Sequence, residues 1–497
     1  MAKGTFLILV TLLRIVSGAD DVSHVSCKGN NTASGVLPPR VLSMVRLLSD
    51  YRHNHGIEAI QQQVKARDFK AVCARKWIRN SQFGLGCNLV GNHFGSAAST
   101  FLAAVVLDRT LLLIGDADIG TSCEGSVYHK TWTVTQSRLE PLLIEAGCNF
   151  FRKNDDYKNA LNFVITHPET AKKGKSATRT CGYARSPHPH LIYDDIFNSG
   201  VEAFATNEFL SPSAKQRAAV LFSNPIPGLA RFESYGFLLR ALFGYTNQTI
   251  SMARAALTGV HDQDGTQHVQ ECLGTSTLRL RHDSFFTVGV HLRHKSTDEH
   301  LIKLYDDAAE KGISLILDKH GHKHGSTAAQ KCVLLVASDR AETIVHMEAY
   351  AVKVNCIVRY IRRDLNATVT EQQKKDGYEE TGPWSAASIA MADLVLLTHS
   401  QYFLGSADST FSFLIGDDVA AHAVLHPAFN TQEQGGVGPL LWVNPANSRL
   451  PVDTPLNLTW AWASQTFSAG GPHVVEQFYY KLQQSTKDCP FPPSGDH

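Results

Sequence analysis

The clearest alternation of hydrophobic and polar positions lies in the second half of the chain. From Asp283 onward, short apolar runs alternate with stretches of helical length. Phe285–Arg293 (FFTVGVHLR), Lys331–Ala337 (KCVLLVA), Cys356–Ile361 and Tyr402–Gly405 read as strands, with His422–Leu425 as a further candidate. Leu301–Lys311, Ala341–Val352, Ser385–Leu397 and Ser409–Ile415 read as helices. Strands that alternate with helices predict an α/β fold built on a doubly wound parallel sheet, whose ligands sit outside the carboxyl ends of the strands. Earlier in the chain, residues 41–75 carry helical patterns. Near Phe83 a Gly-rich turn precedes Phe94, Ala97, Ala98, Phe101, Leu102 and Val105, which mark one buried helix face. Asp108-Arg109 ends that helix, and Thr110–Ile114 (TLLLI) reads as a buried parallel strand. Residues 20–40 are polar with several Gly and Pro and read as a linker; residues 120–280, including the basic run Ala171–Arg179, carry only weak order in their pattern.

Three strand ends carry concentrated polarity: His291-Leu292-Arg293-His294-Lys295, Ser338-Asp339-Arg340, and Ser406-Ala407-Asp408-Ser409-Thr410. The last opens a helix, and a hydroxyl-rich helix start presents free N–H groups and the positive end of the dipole to a phosphate. Arg293 at a neighbouring strand end suits phosphate through paired hydrogen bonds. The same residues also serve as a plain N-cap and a surface salt bridge. Asp393 lies in a helix that is apolar nearly all round, so it is expected to be buried and paired. A carboxylate there matches the adjacent N1–H and N2–H of guanine, or a nearby Arg.

Other chemistries leave weaker marks. The chain has no G-x-x-x-x-G-K-[ST], H-E-x-x-H or G-x-S-x-G, and Gly84-x-Gly86 lacks the third glycine of a dinucleotide fingerprint because that position is Leu89. Asp116-Ala117-Asp118 matches the D-x-D that holds a metal in one class of glycosyltransferase, but Asp262-Gln263-Asp264 matches equally. His320, His322 and His324 fall in a Gly- and Lys-containing stretch that reads as a solvated loop before it reads as a metal site.

Composition narrows the class. The chain has 497 residues, 43% hydrophobic and 19% charged, and 47 Lys+Arg against 46 Asp+Glu give a formal charge of +1. So balanced a charge excludes a non-specific nucleic-acid binder and general disorder. Lys3, the apolar run Phe6–Leu13 and the small residues Ser17-Gly18-Ala19 fit a secretory signal peptide over 1–19 or a short signal-anchor, the only membrane association expected. Ten cysteines with no C-x-x-C pair read as structural disulfides. Four N-glycosylation sequons, at Asn30, Asn247, Asn366 and Asn457, agree with passage through the endoplasmic reticulum.

Four segments together resemble the secretory-pathway fucosyltransferases. Gly84–Ile114, with Gly84, Gly86, Asn88 and His93 at its head, is similar to the entry segment of the core α1,6 and the plant xyloglucan α1,2 enzymes. VGVHLRHK at 288–295 resembles the H-x-R-R motif of the α1,6, α1,2 and protein O-fucosyltransferases, and VLLVASD at 333–339 their middle motif. ADLVLLTHSQYFLGSADSTFSFL at 392–414 resembles their last motif, in its plant form. The resemblance implies two facing Rossmann-like domains (a GT-B-like fold), GDP-fucose as donor, a glycan, glycoprotein or polysaccharide acceptor, inversion at the anomeric carbon, no metal or other cofactor, and residence in the Golgi lumen, with the endoplasmic reticulum or secretion as alternatives. Carried over by position, Arg293 is expected at the β-phosphate of GDP, His291 and Asp393 at guanine, and Asp339 beside the nucleotide. Ser406, Asp408, Ser409 and Thr410 are expected around the phosphate oxygens, and Asp298 and Glu299 are candidates for the base that activates the acceptor.

This sequence also departs from the motif. The second arginine is His294 and the expected aspartate is Ser296, with Lys295 between them as a replacement charge. Residues 420–497 show no SH3-like extension of the core α1,6 type. Two other readings therefore stay open: a non-catalytic carbohydrate- or nucleotide-binding protein of the same fold, and a metal-dependent enzyme using Asp116 and Asp118. The expected layout is a signal over 1–19, a stem and helical segment over 20–78, an acceptor-side α/β domain over 79–280, and a nucleotide-sugar domain with a tail over 281–497. Trp442, Trp460, Trp462 and Tyr479 read as core before they read as sugar-stacking residues.

Overall fold

The computed structural model describes residues 38–80, 90–112, 132–134, 139–148, 190–193, 210–224, 227–245, 247–258, 269–270, 276–277, 285–293, 299–318, 331–361, 386–407, 409–425, 439–443 and 458–460. All of these belong to one compact unit, Leu37–His497. Asp116, Asp118, Asp262, Asp264, His320, His322, His324, Trp462, Tyr479, the basic run and the N-terminal signal fall outside them. So do the sequons at Asn30, Asn366 and Asn457.

The described part opens with three helices, α1 (Pro39–His55), α2 (Ile57–Lys65) and α3 (Phe69–Ala74), then strand β1 (Trp77–Asn80). Helix α4 (Val90–Leu107) leads to β2 (Thr110–Leu112), and β1 pairs in parallel with both β2 and β4 (His190–Tyr193), so β1 is the middle strand of a small parallel sheet. Between them lie β3 (Trp132–Val134) and α5 (Leu139–Glu145). Ile60, Val64, Val72, Trp77, Leu112, Leu139 and Leu143 form one buried cluster, and a Cys73–Cys148 disulfide ties α3 to the residues just after α5. The helical segment that precedes β1 is thus packed on this sheet.

The turn from α4 into β2 is held from α1. Asp108 takes a left-handed backbone conformation (φ 54°), which Asp tolerates better than most residues. His55 spans the turn, with Nε2 3.0 Å from Asp108 Oδ1 and Nδ1 3.0 Å from Thr110 Oγ1. The Tyr51 hydroxyl donates to the Arg109 carbonyl at 2.8 Å and accepts from the Leu111 amide at 3.0 Å. The hydrogen bond from His55 holds the Asp108 carboxyl below its ordinary pKa. Burial lowers the Arg109 guanidinium to about 10.

Next come α6 (Pro212–Leu221), α7 (Pro227–Leu242), β5 (Phe243–Tyr245), α8 (Asn247–Ala256), β6 (Val269–Gln270) and β7 (Ser276–Thr277). The second half is β8 (Phe285–Leu292), α9 (Glu299–Ile316), β9 (Lys331–Ser338), α10 (Ala341–Lys353), β10 (Cys356–Arg359), α11 (Ala386–Thr398), β11 (Tyr402–Ser406), α12 (Thr410–Leu425), β12 (Leu440–Val443) and β13 (Leu458–Trp460). These strands form one sheet in the order β10-β9-β8-β11-β12-β13, parallel except for the antiparallel edge strand β13. The fold is therefore α/β with parallel sheets, as the alternating pattern predicts. One element differs: His422–Leu425 is the last turn of α12, not a strand. Helix α12 is buried nearly all round, and periodicity cannot separate a buried strand from the end of such a helix.

Both faces of the large sheet are covered. Phe286, Val288, Val290 and Leu292 alternate on one face and pack with Ala308, Ile313, Ile344 and Met347 of α9 and α10. The intervening positions of β8 meet the α11 and α12 side: Thr287 Oγ1 donates to the His399 carbonyl, and a side chain on Gly289 would collide with Ser400 Oγ at 2.6 Å. A disulfide joins Cys332 and Cys356 across β9 and β10. Trp442 is fully buried, with its ring 5.0 Å from Phe413 and 5.4 Å from Phe232, so this aromatic belongs to the core.

Helix α12 also carries unusual polarity for so apolar a surrounding. Asp417 and Asp418 are both buried. Arg240 Nε of α7 donates to Asp418 Oδ1 at 2.5 Å, and Thr398 and Tyr245 hydroxyls donate to Oδ2 at 2.8 and 3.2 Å. Two buried charges so paired and hydrogen-bonded are tolerated where a single one is not. At the α7–α12 crossing, a Cβ on Gly236 would lie 2.0 Å from the Asp417 carbonyl, so the contact requires glycine. Burial pushes the Asp417 carboxyl well above its ordinary range; Arg231 opposes the shift and Asp418 adds to it. The folded state then keeps this proton to higher pH than the unfolded chain, so stability from this group falls as pH rises above about 4. Asp417→Asn is expected to flatten that decline and raise the melting temperature at pH 7; an unchanged pH slope in thermal unfolding contradicts the assignment.

Candidate functional site

In a parallel sheet the crevice for a ligand opens where successive crossovers turn in opposite directions. Here β8, β9 and β10 progress one way from β8, and β11 and β12 progress the other way. The reversal lies between β8 and β11, which pair with Gly405 opposite His291. Two of the three polar strand ends singled out in the sequence flank this reversal, and the third, at Asp339, follows the adjacent strand β9.

The two ends are hydrogen-bonded to each other. Ser406 is fully buried, and its hydroxyl accepts the Arg293 amide at 3.1 Å and donates to the His291 carbonyl at 3.4 Å. The Ser406 amide in turn donates to Ser412 Oγ at 3.2 Å, and Ser412 Oγ lies 2.5 Å from His291 Nδ1. The His291 ring is buried and stands edge-on to Phe411, 5.1 Å between centroids. Ser409 is the N-cap of α12: its amide donates to the Ser406 carbonyl, and its hydroxyl accepts the Ser412 amide at 3.4 Å. Thr410 is the first residue of the helix and is half-buried.

Arg293 follows β8 directly and is half-buried. Asp393 is buried inside α11, as its apolar helix predicts. Asp339 is exposed at the end of β9. Glu299 is exposed in the first turn of α9, a position that also suits an acidic side chain beside the helix dipole. Arg340, next to Asp339, lies 3.5 Å from Glu342. Gly84, Gly86, Asn88, His294, Lys295, Ser296, Asp298 and Asp408 fall outside the described residues, while His93 and Asn247 are placed only as backbone, in the first turns of α4 and α8.

The arrangement brings His291, Arg293, Ser406, Ser409 and Thr410 to one place and leaves Asp339 at the neighbouring strand end. It adds Ser412, which the motif comparison did not single out. A serine among the apolar residues of the 410–415 run was the available signal, because a fully buried hydroxyl must have partners. The chemistry on offer is anion binding: a helix N-terminus aimed at a strand-end crevice, with a guanidinium at the adjacent strand end. Two concavities elsewhere have different linings. One surrounds Arg240, Tyr245, Thr398 and Asp418; the other is an open groove between α9 and α10 lined by Asp307, Glu310, Ser314 and Tyr350. Among the described residues no cluster of His, Cys, Asp or Glu is arranged to hold a metal ion, and no helix is long and apolar enough to cross a membrane.

No protein-family model matches the sequence, and no curated protein matches it. Among solved structures the chain is similar to a mutant of FUT1 from Arabidopsis thaliana in complex with GDP, at 14% identity over 86% of this chain and 83% of that one, with a TM-score of 0.46. It is also similar to the fucosyltransferase NodZ from Bradyrhizobium, at 11% identity over 78% of this chain and 99% of that one, with a TM-score of 0.36. For POFUT1 in complex with GDP the values are 13% identity, 74% and 99% coverage, and a TM-score of 0.31.

The N-cap can be tested alone. Ser409→Ala removes the acceptor for the Ser412 amide and is expected to lower stability by about 1 kcal/mol. Chemical denaturation measures it, and a loss below a few tenths of a kcal/mol contradicts the capping role.

Proposed function

We propose that this chain is an inverting fucosyltransferase that moves fucose from GDP-fucose to a glycan hydroxyl, of α1,2 or α1,6 type, without an essential metal. The observation that carries the reading is the coincidence of two independent facts. The residues that resemble the fucosyltransferase motifs, His291–Arg293 and Ser406–Thr410, flank the point where the strand order reverses. A nucleotide diphosphate is the ligand class that such a reversal, a helix start and an arginine suit together.

In this reading Arg293 pairs with the β-phosphate and the N-terminal amides of α12 face its oxygens. Asp393 accepts the N1–H and N2–H of guanine, with His291 beside the base and Asp339 at the rim. Breaking the fucose–phosphate bond leaves negative charge on GDP and an oxocarbenium-like sugar. Donors fixed before the reaction stabilise that charge without reorganising, an effect of a few kcal/mol per donor in comparable sites. Lys295 replaces the charge of the motif's second arginine. The acceptor hydroxyl loses its proton to Asp298, on the segment between β8 and α9, or to Glu299 in the first turn of α9. The acceptor binds on the 79–280 side, across the crevice from the nucleotide. The Cys73–Cys148 and Cys332–Cys356 disulfides support an oxidising compartment, consistent with the Golgi lumen.

Turnover of GDP-fucose against a panel of glycan acceptors, in EDTA and in manganese, tests the reading. Activity is expected to persist in EDTA. Arg293→Ala is expected to weaken GDP binding by roughly 10- to 100-fold, the range for a hydrogen bond to a charged group. Strict manganese dependence, or unchanged GDP affinity in Arg293→Ala, overturns it. GDP binding with no turnover on any acceptor favours a non-catalytic binding protein.

A further inference from the structure

We infer that Ser412 is a positioning residue for the nucleotide, acting through His291; this rests on the donor-site reading proposed above. Ser412 occupies the third position of α12 and is completely buried. A serine inside a helix commonly returns its hydroxyl to a carbonyl one turn back. Ser412 instead reaches two other elements, with Oγ 2.5 Å from His291 Nδ1 at the end of β8 and 3.2 Å from the Ser406 amide at the end of β11.

The direction of these bonds follows from counting hydrogens. The Ser406 amide can only donate, so it occupies one lone pair of Ser412 Oγ. Oγ keeps a second lone pair, but of its two partners only His291 Nδ1 can accept, so directing the hydroxyl hydrogen there satisfies this buried donor and places the ring proton on Nε2. Which ring nitrogen of a histidine carries the proton is set by the bond the other one makes. Ser412 thereby selects the Nε2–H tautomer of His291, a donor suited to the O6 and N7 acceptors on the guanine edge. Contact with Phe411 restrains the same ring from a second side.

The backbone is held by the same pair of serines. Ser406 Oγ fixes the His291 carbonyl and the Arg293 amide, and Ser412 Oγ fixes the Ser406 amide. Side chain and main chain of the β8 terminus are therefore referenced to one helix start. A shift of α12 moves the phosphate-facing amides and the base-facing imidazole together, so the two ends of the nucleotide are read in a fixed relation.

The test is a double-mutant cycle on GDP affinity by calorimetry, with His291→Ala and Ser412→Ala singly and together and Ser412→Thr as the conservative variant. Ser412→Ala is expected to weaken GDP binding about tenfold, as one well-formed hydrogen bond allows. Ser412→Thr, which keeps the hydroxyl, is expected to recover most of that loss. In the His291→Ala background Ser412→Ala is expected to add almost nothing. A full loss in that background, or unchanged affinity in Ser412→Ala, overturns the role. Ring nitrogen resonances of His291 in protein labelled with 15N-histidine give a second readout that needs no ligand. The wild type is expected to show the Nε2–H tautomer and Ser412→Ala a mixture, and identical signals in both overturn the assignment. If the wild type fails to bind GDP, the nucleotide reading fails and the positioning role with it, while a changed His291 signal shows that the hydrogen-bond assignment itself was correct.

Discussion

The parallel pairing of β8 with β11 is the constraint on which the site depends. It places two strands far apart in sequence side by side at the point where the sheet changes direction, and it sets Gly405 opposite His291. Buried amides and carbonyls beyond the last ladder bond must be satisfied by side chains or water, and here Ser406 and Ser412 satisfy them across the junction. The cross-links explain why serines, and not larger polar residues, stand at these places: a short hydroxyl can accept one amide and still donate once.

The surroundings make this junction stiff. Covered on both faces, the sheet excludes water from β8, whose last seven residues are all buried. Helix α12, which starts the site, is anchored farther along by the Arg240–Asp418 pair and by its close crossing with α7 at Gly236. A buried ion pair adds little net stability compared with apolar packing, but breaking one partner is expensive. Its effect is on geometry, because only one placement of α12 satisfies Asp418 from Arg240, Thr398 and Tyr245 together.

Much of this was legible in the residues. The strands of the large sheet are continuous apolar runs, as strands buried on both faces must be, and the burial of Asp393 followed from its apolar helix. What stayed hidden has a common cause. Arg240 and Asp418 are polar positions inside largely apolar helices, and they are separated by 178 residues. Ser412 was masked in the same way, since a serine in an apolar run gives no sign of which strand it meets. His422–Leu425 misled because an apolar tetrad reads alike at the end of a buried helix and in a short strand. The amphipathic pattern of the helices before β1 does not reveal which sheet they cover, and the Cys73–Cys148 bridge that ties them in cannot be paired from spacing.

The central claim is that the carboxyl ends of β8 and β11 hold a nucleotide diphosphate. Amide hydrogen exchange with and without GDP tests it directly, because it locates the ligand on the backbone. The account predicts slowed exchange confined chiefly to 291–293 and 406–412, with the open groove between α9 and α10 unchanged. Protection centred on that groove, or no protection at either strand end at saturating GDP, would contradict it.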